Sequence, residues 1–242
     1  IIQSDKGGEK LDCEGEITQK KQVRRVVNLK TTLDQWIASS TKDDAVRVIR
    51  GGPGSGKSSF AKIFAADLAA RAYDVLYIPL HRLNIEQDFQ DTLTRYLRDS
   101  DFFSQSYYLD ADRLIVILDG LDELTQQGYA CIDAAQRFVN NILQYVQTRN
   151  MTKLRLQLIL TGRDLVVQHT ESLFRKERQI LHLVDYFVPD DEDDSSHDCD
   201  HFLFDDPMHL LTEDKRNHWW KRYGELTGKD YHEGMPKELH ID

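Results

Sequence analysis

Two rhythms of apolar and polar residues run along this 242-residue chain. Short aliphatic runs at Val46 to Ile49, Asp74 to Leu80, Arg113 to Asp119, Leu154 to Leu160 and Gln179 to Val184 predict strands. The five consecutive aliphatics Leu114 to Leu118 mark a strand buried on both faces, as in a parallel sheet. Apolar residues at three- and four-residue spacing predict the helices between them. Phe60 to Ala69 is one, Glu86 to Arg98 a second with Phe89, Leu93, Tyr96 and Leu97 inward. Tyr129 to Gln147 is a third, with Ile132, Ala135, Phe138, Val139, Ile142 and Val146 on its apolar side. A shorter helix over Thr31 to Ile37, capped by a threonine, presents Leu33, Trp36 and Ile37 on one face, and Trp36 reads as core. Glu171 to Arg178 reads as a basic helical segment.

Outside these elements the pattern weakens. Residues 1–22 are polar, carry Gly7-Gly8 and show no periodicity, so a linker or poorly ordered arm is expected. From Pro189 the composition turns acidic, with Asp190 to Asp194 leading a run that reaches Asp205-Asp206-Pro207; like charges this dense repel and stay solvated, which predicts a mobile loop. His197, Cys199 and His201 lie within it, but their spacing matches no zinc pattern. Order returns at Thr212, which with Glu213 and Asp214 caps a helix running through Trp219-Trp220 to Tyr223. A turn follows near Gly228, and Gly234-Met235-Pro236 opens another helix.

Composition narrows the function classes. Forty-one acidic against 31 basic residues give a net charge of -10, so no general basic surface invites nucleic acid. Cys13, Cys131 and Cys199 are few and far apart, which argues against a disulfide framework and for a reducing, cytoplasmic setting. No apolar run approaches the ~20 residues a bilayer span needs, so no membrane association is expected. Beginning at Ile1 rather than Met, the chain is expected to be a segment of a longer protein.

The chemistry concentrates where strand gives way to helix. Gly51-Gly52-Pro53-Gly54-Ser55-Gly56-Lys57-Ser58-Ser59 lies between the first predicted strand and the next helix, the context a phosphate-binding loop requires. Its glycines let the chain curl with N–H groups pointing inward, and the helix adds free N–H groups and the positive end of its dipole. Lys57 can then reach the β- and γ-phosphates of a nucleotide, and the Ser58 hydroxyl can ligate Mg²⁺.

A second constellation follows the buried strand. Asp119 stands at its carboxyl end, where open α/β sheets bind ligands, placed to hold Mg²⁺. Asp122 and Glu123 put two more carboxylates within a turn, either of which could polarise the water attacking a γ-phosphate. Arg163, in Thr161-Gly162-Arg163-Asp164, ends another strand: it either contacts the γ-phosphate and reports its presence, or simply pairs with a nearby acid.

Together, Gly51 to Ser58, Asp119-Gly120-Leu121-Asp122-Glu123, Thr161-Gly162-Arg163 and Gly234-Met235-Pro236 resemble a NACHT module of the STAND class of signal-transduction NTPases. The resemblance runs over residues 26–239. It implies an α/β P-loop NTPase of the ASCE, AAA+-like type: a five-stranded parallel sheet in the order 5-1-4-3-2, helices on both faces, then a small helical subdomain. On this reading residues 1–22 form the arm, 23–188 the nucleotide-binding domain, 189–207 the acidic loop and 208–242 the start of the helical domain. The resemblance further implies ATP or ADP with Mg²⁺, Lys57 and Ser58 on phosphate and metal, Asp119 on Mg²⁺, Asp122 and Glu123 in hydrolysis, Arg163 as sensor, and Pro236 packed on adenine. The binding set is Gly52, Pro53, Gly54, Ser55, Gly56, Lys57, Ser58, Ser59 and Pro236.

Family members carry effector and sensor domains beyond this segment, and they serve in innate immunity, including bacterial defence against phage. The expected function is an ATP-hydrolysing switch: ADP holds it at rest, and exchange for ATP drives self-association that activates an attached effector. Two alternatives stand beside it. One is a mechanical ring ATPase using Arg175 or Arg178 in trans, the other a P-loop kinase.

Overall fold

The computed structural model of the chain describes residues 2–4, 9–11, 17–19, 24–83, 89–99, 111–122, 130–176, 178–183 and 204–228. It divides into two compact units, Leu29–Leu183 and a second made of Ile1–Asn28 with Val184–Asp242.

Five strands form the centre of the first unit: β1 Val46–Gly51, β2 Asp74–Pro79, β3 Leu114–Asp119, β4 Leu156–Gly162 and β5 Ile180–Leu183. All pairings are parallel, β5 with β1, β1 with β4, β4 with β3 and β3 with β2, which sets the order 5-1-4-3-2. Every residue of β3 and β4 is buried. A parallel sheet needs cover on both faces, and its strands are therefore apolar without alternation.

The period of two still sorts the side chains. Val48, Leu76, Ile78, Leu114, Val116, Leu118, Leu158 and Leu160, all even-numbered, share one buried cluster with Phe89 and Leu93 of α3 (Phe89–Asp99) and Phe138 and Ile142 of α4 (Ala130–Arg149). Phe89 meets Phe138 edge-on at 6.0 Å. The odd-numbered residues face the other way, towards α1 (Leu29–Ser39) and α2 (Lys57–Ala70). Here Ile49, Ile115, Ile117 and Ile159 are buried, as are Leu33 and Ile37 of α1 and Phe64 and Leu68 of α2.

Polar residues on this second face anchor α1 at the end of the sheet away from the carboxyl termini. Gln157, fully buried, accepts from Arg113 Nε at 2.9 Å and donates to Ser40 Oγ at 2.7 Å. Arg113 also donates to the Ile37 carbonyl. Trp36 is buried and donates from Nε1 to the Asp44 carbonyl, so it belongs to the packing, as the sequence suggested.

The sequence misplaced some boundaries. Helix α1 begins at Leu29, so Thr31 and Thr32 lie inside it instead of capping it. The described residues of Glu171 to Arg178 form no α-helix. The helix, α5, is Asp164–Thr170, one step earlier; a single 3₁₀ turn, Glu171–Leu173, ends it, and Phe174 turns into the core. The Thr170 hydroxyl bonds back to the Val166 and Val167 carbonyls, satisfying acceptors of the last turn.

In the second unit, Ile2–Ser4 pairs antiparallel with Arg24–Val26, Phe204–Asp205 pairs parallel with Arg24–Val26, and Glu9–Leu11 forms a hairpin with Ile17–Gln19. The strand set therefore differs in detail from five strands alone, and residues 1–22, read as a linker or arm, contain three of the additional strands. Helix α6, Glu213–Thr227, starts where expected: Thr212 accepts from the Lys215 N–H at 3.4 Å, and Gly228, at φ 68°, closes the far end. It is the part of the expected helical subdomain that falls within the described residues. Asp190 to Asp200, with His197 and Cys199, and Gly234-Met235-Pro236 lie outside them.

Candidate functional site

The phosphate loop grows out of β1. Gly51 is its last residue, and Gly52 to Gly56 arc to Lys57, the first residue of α2. Gly54 and Gly56 take φ of 77° and 83°, left-handed values that a side chain would strain. The loop is closed by the Ser55 hydroxyl, which donates to the Gly52 carbonyl at 2.8 Å.

Two glycines have opposite surroundings. A Cβ on Gly51 would stand 2.7 Å from the Leu183 carbonyl oxygen, because β5 passes directly beside it, whereas a Cβ on Gly52 would meet nothing within 4 Å. Gly51→Ala is therefore expected to cost about 2 kcal/mol, lowering Tm by roughly 4–8 °C. Gly52→Ala should melt like the parent yet bind nucleotide more weakly, since its methyl enters the loop's open side. Thermal melting of the two variants separates these effects; equal melting would contradict the packing account.

Lys57 is buried, 9% exposed, and its ammonium donates to the carbonyls of Gly51 at 2.8 Å and Gly52 at 2.7 Å and to Ser55 Oγ at 3.2 Å. All three ammonium protons are spent on the loop's own oxygens. Burial pushes its pKa below the ordinary value; Asp122, Asp164 and Asp119 pull the other way, and Arg163 adds to the lowering. A phosphate oxygen entering the loop meets a partly desolvated cation held by neutral acceptors, and it offers that cation a full charge.

Asp119, 5% exposed at the carboxyl end of β3, ties the loop to the sheet. Its Oδ1 accepts from the Ser58 hydroxyl at 3.1 Å and from the Thr161 hydroxyl at 2.5 Å, and its Oδ2 accepts from the Tyr77 hydroxyl at 2.7 Å. Thr161 in turn accepts from the Gly120 N–H at 3.0 Å, and Gly120, at φ 94°, is the residue whose backbone can turn there. Ser58 and Asp119 are hard oxygen donors at hydrogen-bond distance beside the loop, a set that fits Mg²⁺. Among the described residues, no group of three or more His, Cys, Asp and Glu is placed to hold a metal.

Asp122 and Arg163 also meet. Arg163 Nε lies 2.8 Å from Asp122 Oδ2, with the arginine side chain half exposed and the acid 15% exposed. Arg163 thus has beside it the acid that one of its two sequence readings named. Arg50, next to the loop, reaches Asp164 at 3.2 Å and Glu171 at 3.5 Å, bracing the end of β1 against α5 and the turn after it. Arg175 and Arg178 are exposed before β5. Glu123 and Pro236 lie outside the described residues.

Sequence reasoning missed Tyr77 and Thr161 as partners of Asp119. Their shared face follows from the register, which sets Tyr77 opposite Ile117 and Ile117 opposite Ile159, so that Tyr77, Asp119 and Thr161 point the same way; the sequence carries no register signal.

Comparison with known families decides what kind of site this is. The model of the NACHT domain matches residues 45–194, well over half of the chain. The chain belongs to the NACHT family. The matched span holds the phosphate loop, Asp119, Asp122, Glu123 and Arg163, and leaves Pro236 beyond it. As a NACHT domain the chain is a nucleotide-binding P-loop NTPase module.

Solved structures with a similar arrangement include AMPPCP-bound DnaA from Aquifex aeolicus, at 13% identity and TM-score 0.37, over 88% of this chain and 56% of that one. Another is the replication initiator DnaA bound to AMPPCP and single-stranded DNA, at 13% and 0.41, over 84% and 52%. The ADP form of the ORC2 protein of Aeropyrum pernix aligns at 14% and 0.41, over 65% and 46%. The NACHT chain spans about half the length of these proteins. A search of curated proteins finds no match. Among the described residues no helix is long and apolar enough to cross a membrane.

Proposed function

We propose that this NACHT domain is an ATP-hydrolysing switch, resting with ADP and self-associating on exchange for ATP so as to activate an attached effector in a defence response. The observation that carries this reading is the Arg163–Asp122 ion pair at 2.8 Å, beside Lys57. A turnover enzyme gains from keeping its phosphate-contacting cation and its water-polarising acid free. Here each neutralises the other, so hydrolysis waits on an event that separates them. A γ-phosphate is such an event, because it competes for the same guanidinium with greater charge.

The residue roles follow. Lys57 moves part of its hydrogen bonding from the loop oxygens to the β- and γ-phosphates. Ser58 and Asp119 hold Mg²⁺, which when bound neutralises charge on the phosphate oxygens. Arg163 turns to the γ-phosphate and releases Asp122, and Asp122 with Glu123 orients and deprotonates the attacking water. Residues 208–242 are the start of the helical subdomain in this scheme, with Pro236 on the adenine.

Glu123→Gln tests the scheme. Its expected behaviour is retained ATP, hydrolysis slowed about 100-fold or more, and a larger particle by light scattering with ATP than with ADP. A variant that turns over at the parent rate would move the catalytic role elsewhere, and one that traps ATP yet stays monomeric would remove self-association from the account.

A further inference from the structure

The Asp119 carboxylate is buried, and the proposed scheme uses only the side that faces Ser58. Its other oxygen is taken by a residue that none of the roles above involves. Tyr77 stands on β2, a strand that contributes nothing to the phosphate loop, and its hydroxyl donates to Asp119 Oδ2 at 2.7 Å. On the opposite side, Thr161 of β4 donates to Oδ1 at 2.5 Å and is itself held by the Gly120 N–H. Asp119 thus sits between two strands that each send it a hydroxyl, while the third hydroxyl, Ser58, comes from the loop helix.

We propose that Tyr77, assisted by Thr161, is a positioning residue that fixes the Asp119 carboxylate with Oδ1 turned towards Ser58 and so sets the affinity of the site for Mg²⁺. A buried carboxylate that is to serve a metal needs its second oxygen occupied by a neutral donor; unpaired, that oxygen would rotate towards any available donor and take Oδ1 with it. Tyr77 meets this need. Its phenol is a neutral hydrogen-bond donor, and it approaches on the oxygen remote from Ser58, leaving the Ser58 side to a cation. Its placement is geometric: on β2 it is flanked by Leu76 and Ile78, which point into the opposite core, leaving Tyr77 on the face of Asp119. The inference rests on the nucleotide-binding reading of the site.

The test uses the whole 242-residue chain, with ADP and MgCl₂ as probes. Two quantities are measured: ADP affinity in EDTA, and the Mg²⁺ concentration that half-saturates the metal-dependent slowing of ADP release. Tyr77→Phe is expected to raise the second about tenfold and leave the first within about twofold, because the ring is kept and the phosphate loop is untouched. In an Asp119→Asn background, Tyr77→Phe should add no further shift, which a general packing role would not predict. An unchanged Mg²⁺ requirement, or the same shift with and without the Asp119 carboxylate, would overturn the proposal while leaving ADP binding by the parent intact. Loss of ADP binding by the parent itself would instead overturn the underlying reading. Should Tyr77→Phe fail to fold, Thr161→Ser and Thr161→Val repeat the comparison. The serine is expected to keep the parental Mg²⁺ requirement and the valine to raise it, and identical requirements would count against the carboxylate clamp.

Discussion

Lys57→Ala is expected to weaken ADP and ATP binding by about 100-fold or more. Its ammonium is the buried cation of the loop, and truncating one partner of a buried, hydrogen-bonded charge pair costs about 2–5 kcal/mol, each 1.4 kcal/mol being tenfold in affinity. The fold should survive, since the acceptors left behind are the carbonyls of Gly51 and Gly52 and the hydroxyl of Ser55, all neutral. Calorimetric titration with ADP checks the affinity and circular dichroism the fold. Lys57→Arg is not expected to rescue, because a planar guanidinium cannot send three donors into the space one ammonium occupies. Unchanged affinity in a folded alanine variant would show that the loop is not where nucleotide binds.

The second large effect is at Asp119. Asp119→Asn keeps the size of the side chain and removes the charge that complements a divalent cation. Hydrolysis in Mg²⁺ is expected to fall by about 10²–10³, in line with removing one preorganised electrostatic contact from a transition state. Affinity for ADP in EDTA should change little, because the phosphate contacts come from the loop and Lys57. A phosphate-release assay and a metal-free titration give the two numbers. A variant that loses metal-free ADP binding as severely as hydrolysis would mean that Asp119 serves the loop's structure rather than a metal.

The two sites of large effect are legible in the amino-acid sequence, and the reason is physical. The loop from Gly51 to Ser58 is encoded in consecutive residues, since a chain that must turn at Gly54 and Gly56 with positive φ can hardly use anything but glycine. Asp119 is marked by the aliphatic run before it, which only a doubly covered strand requires. The Asp119 clamp is harder to see because it joins β2, β3, β4 and α2, with Tyr77 and Thr161 84 residues apart and Ser58 farther still from Thr161. The Tyr77 hydroxyl reads from sequence as one more half-buried strand aromatic. The clash waiting at Gly51 is likewise invisible, because Leu183 is brought beside it only by the pairing of β5 with β1. The helix between β4 and β5 is placed late by the pattern because the charges of residues 171–178 suggest a solvated helical face, while the buried Val166 and Val167 that define α5 come just before. The short strands of the second unit, three residues or fewer each, are too brief to show a period.

Of the roles assigned, the one on which the rest depends is that the site holds a nucleotide for long periods and does not turn over continuously. With ADP there is no γ-phosphate to part Arg163 from Asp122, so the proposed resting arrangement persists while ADP stays bound. The most direct measurement is the nucleotide carried by the purified protein, extracted by acid and identified by chromatography, together with the rate at which it leaves. The account predicts ADP close to one per chain, released over many minutes. Protein that purifies empty and hydrolyses ATP in rapid, repeated turnover would contradict it.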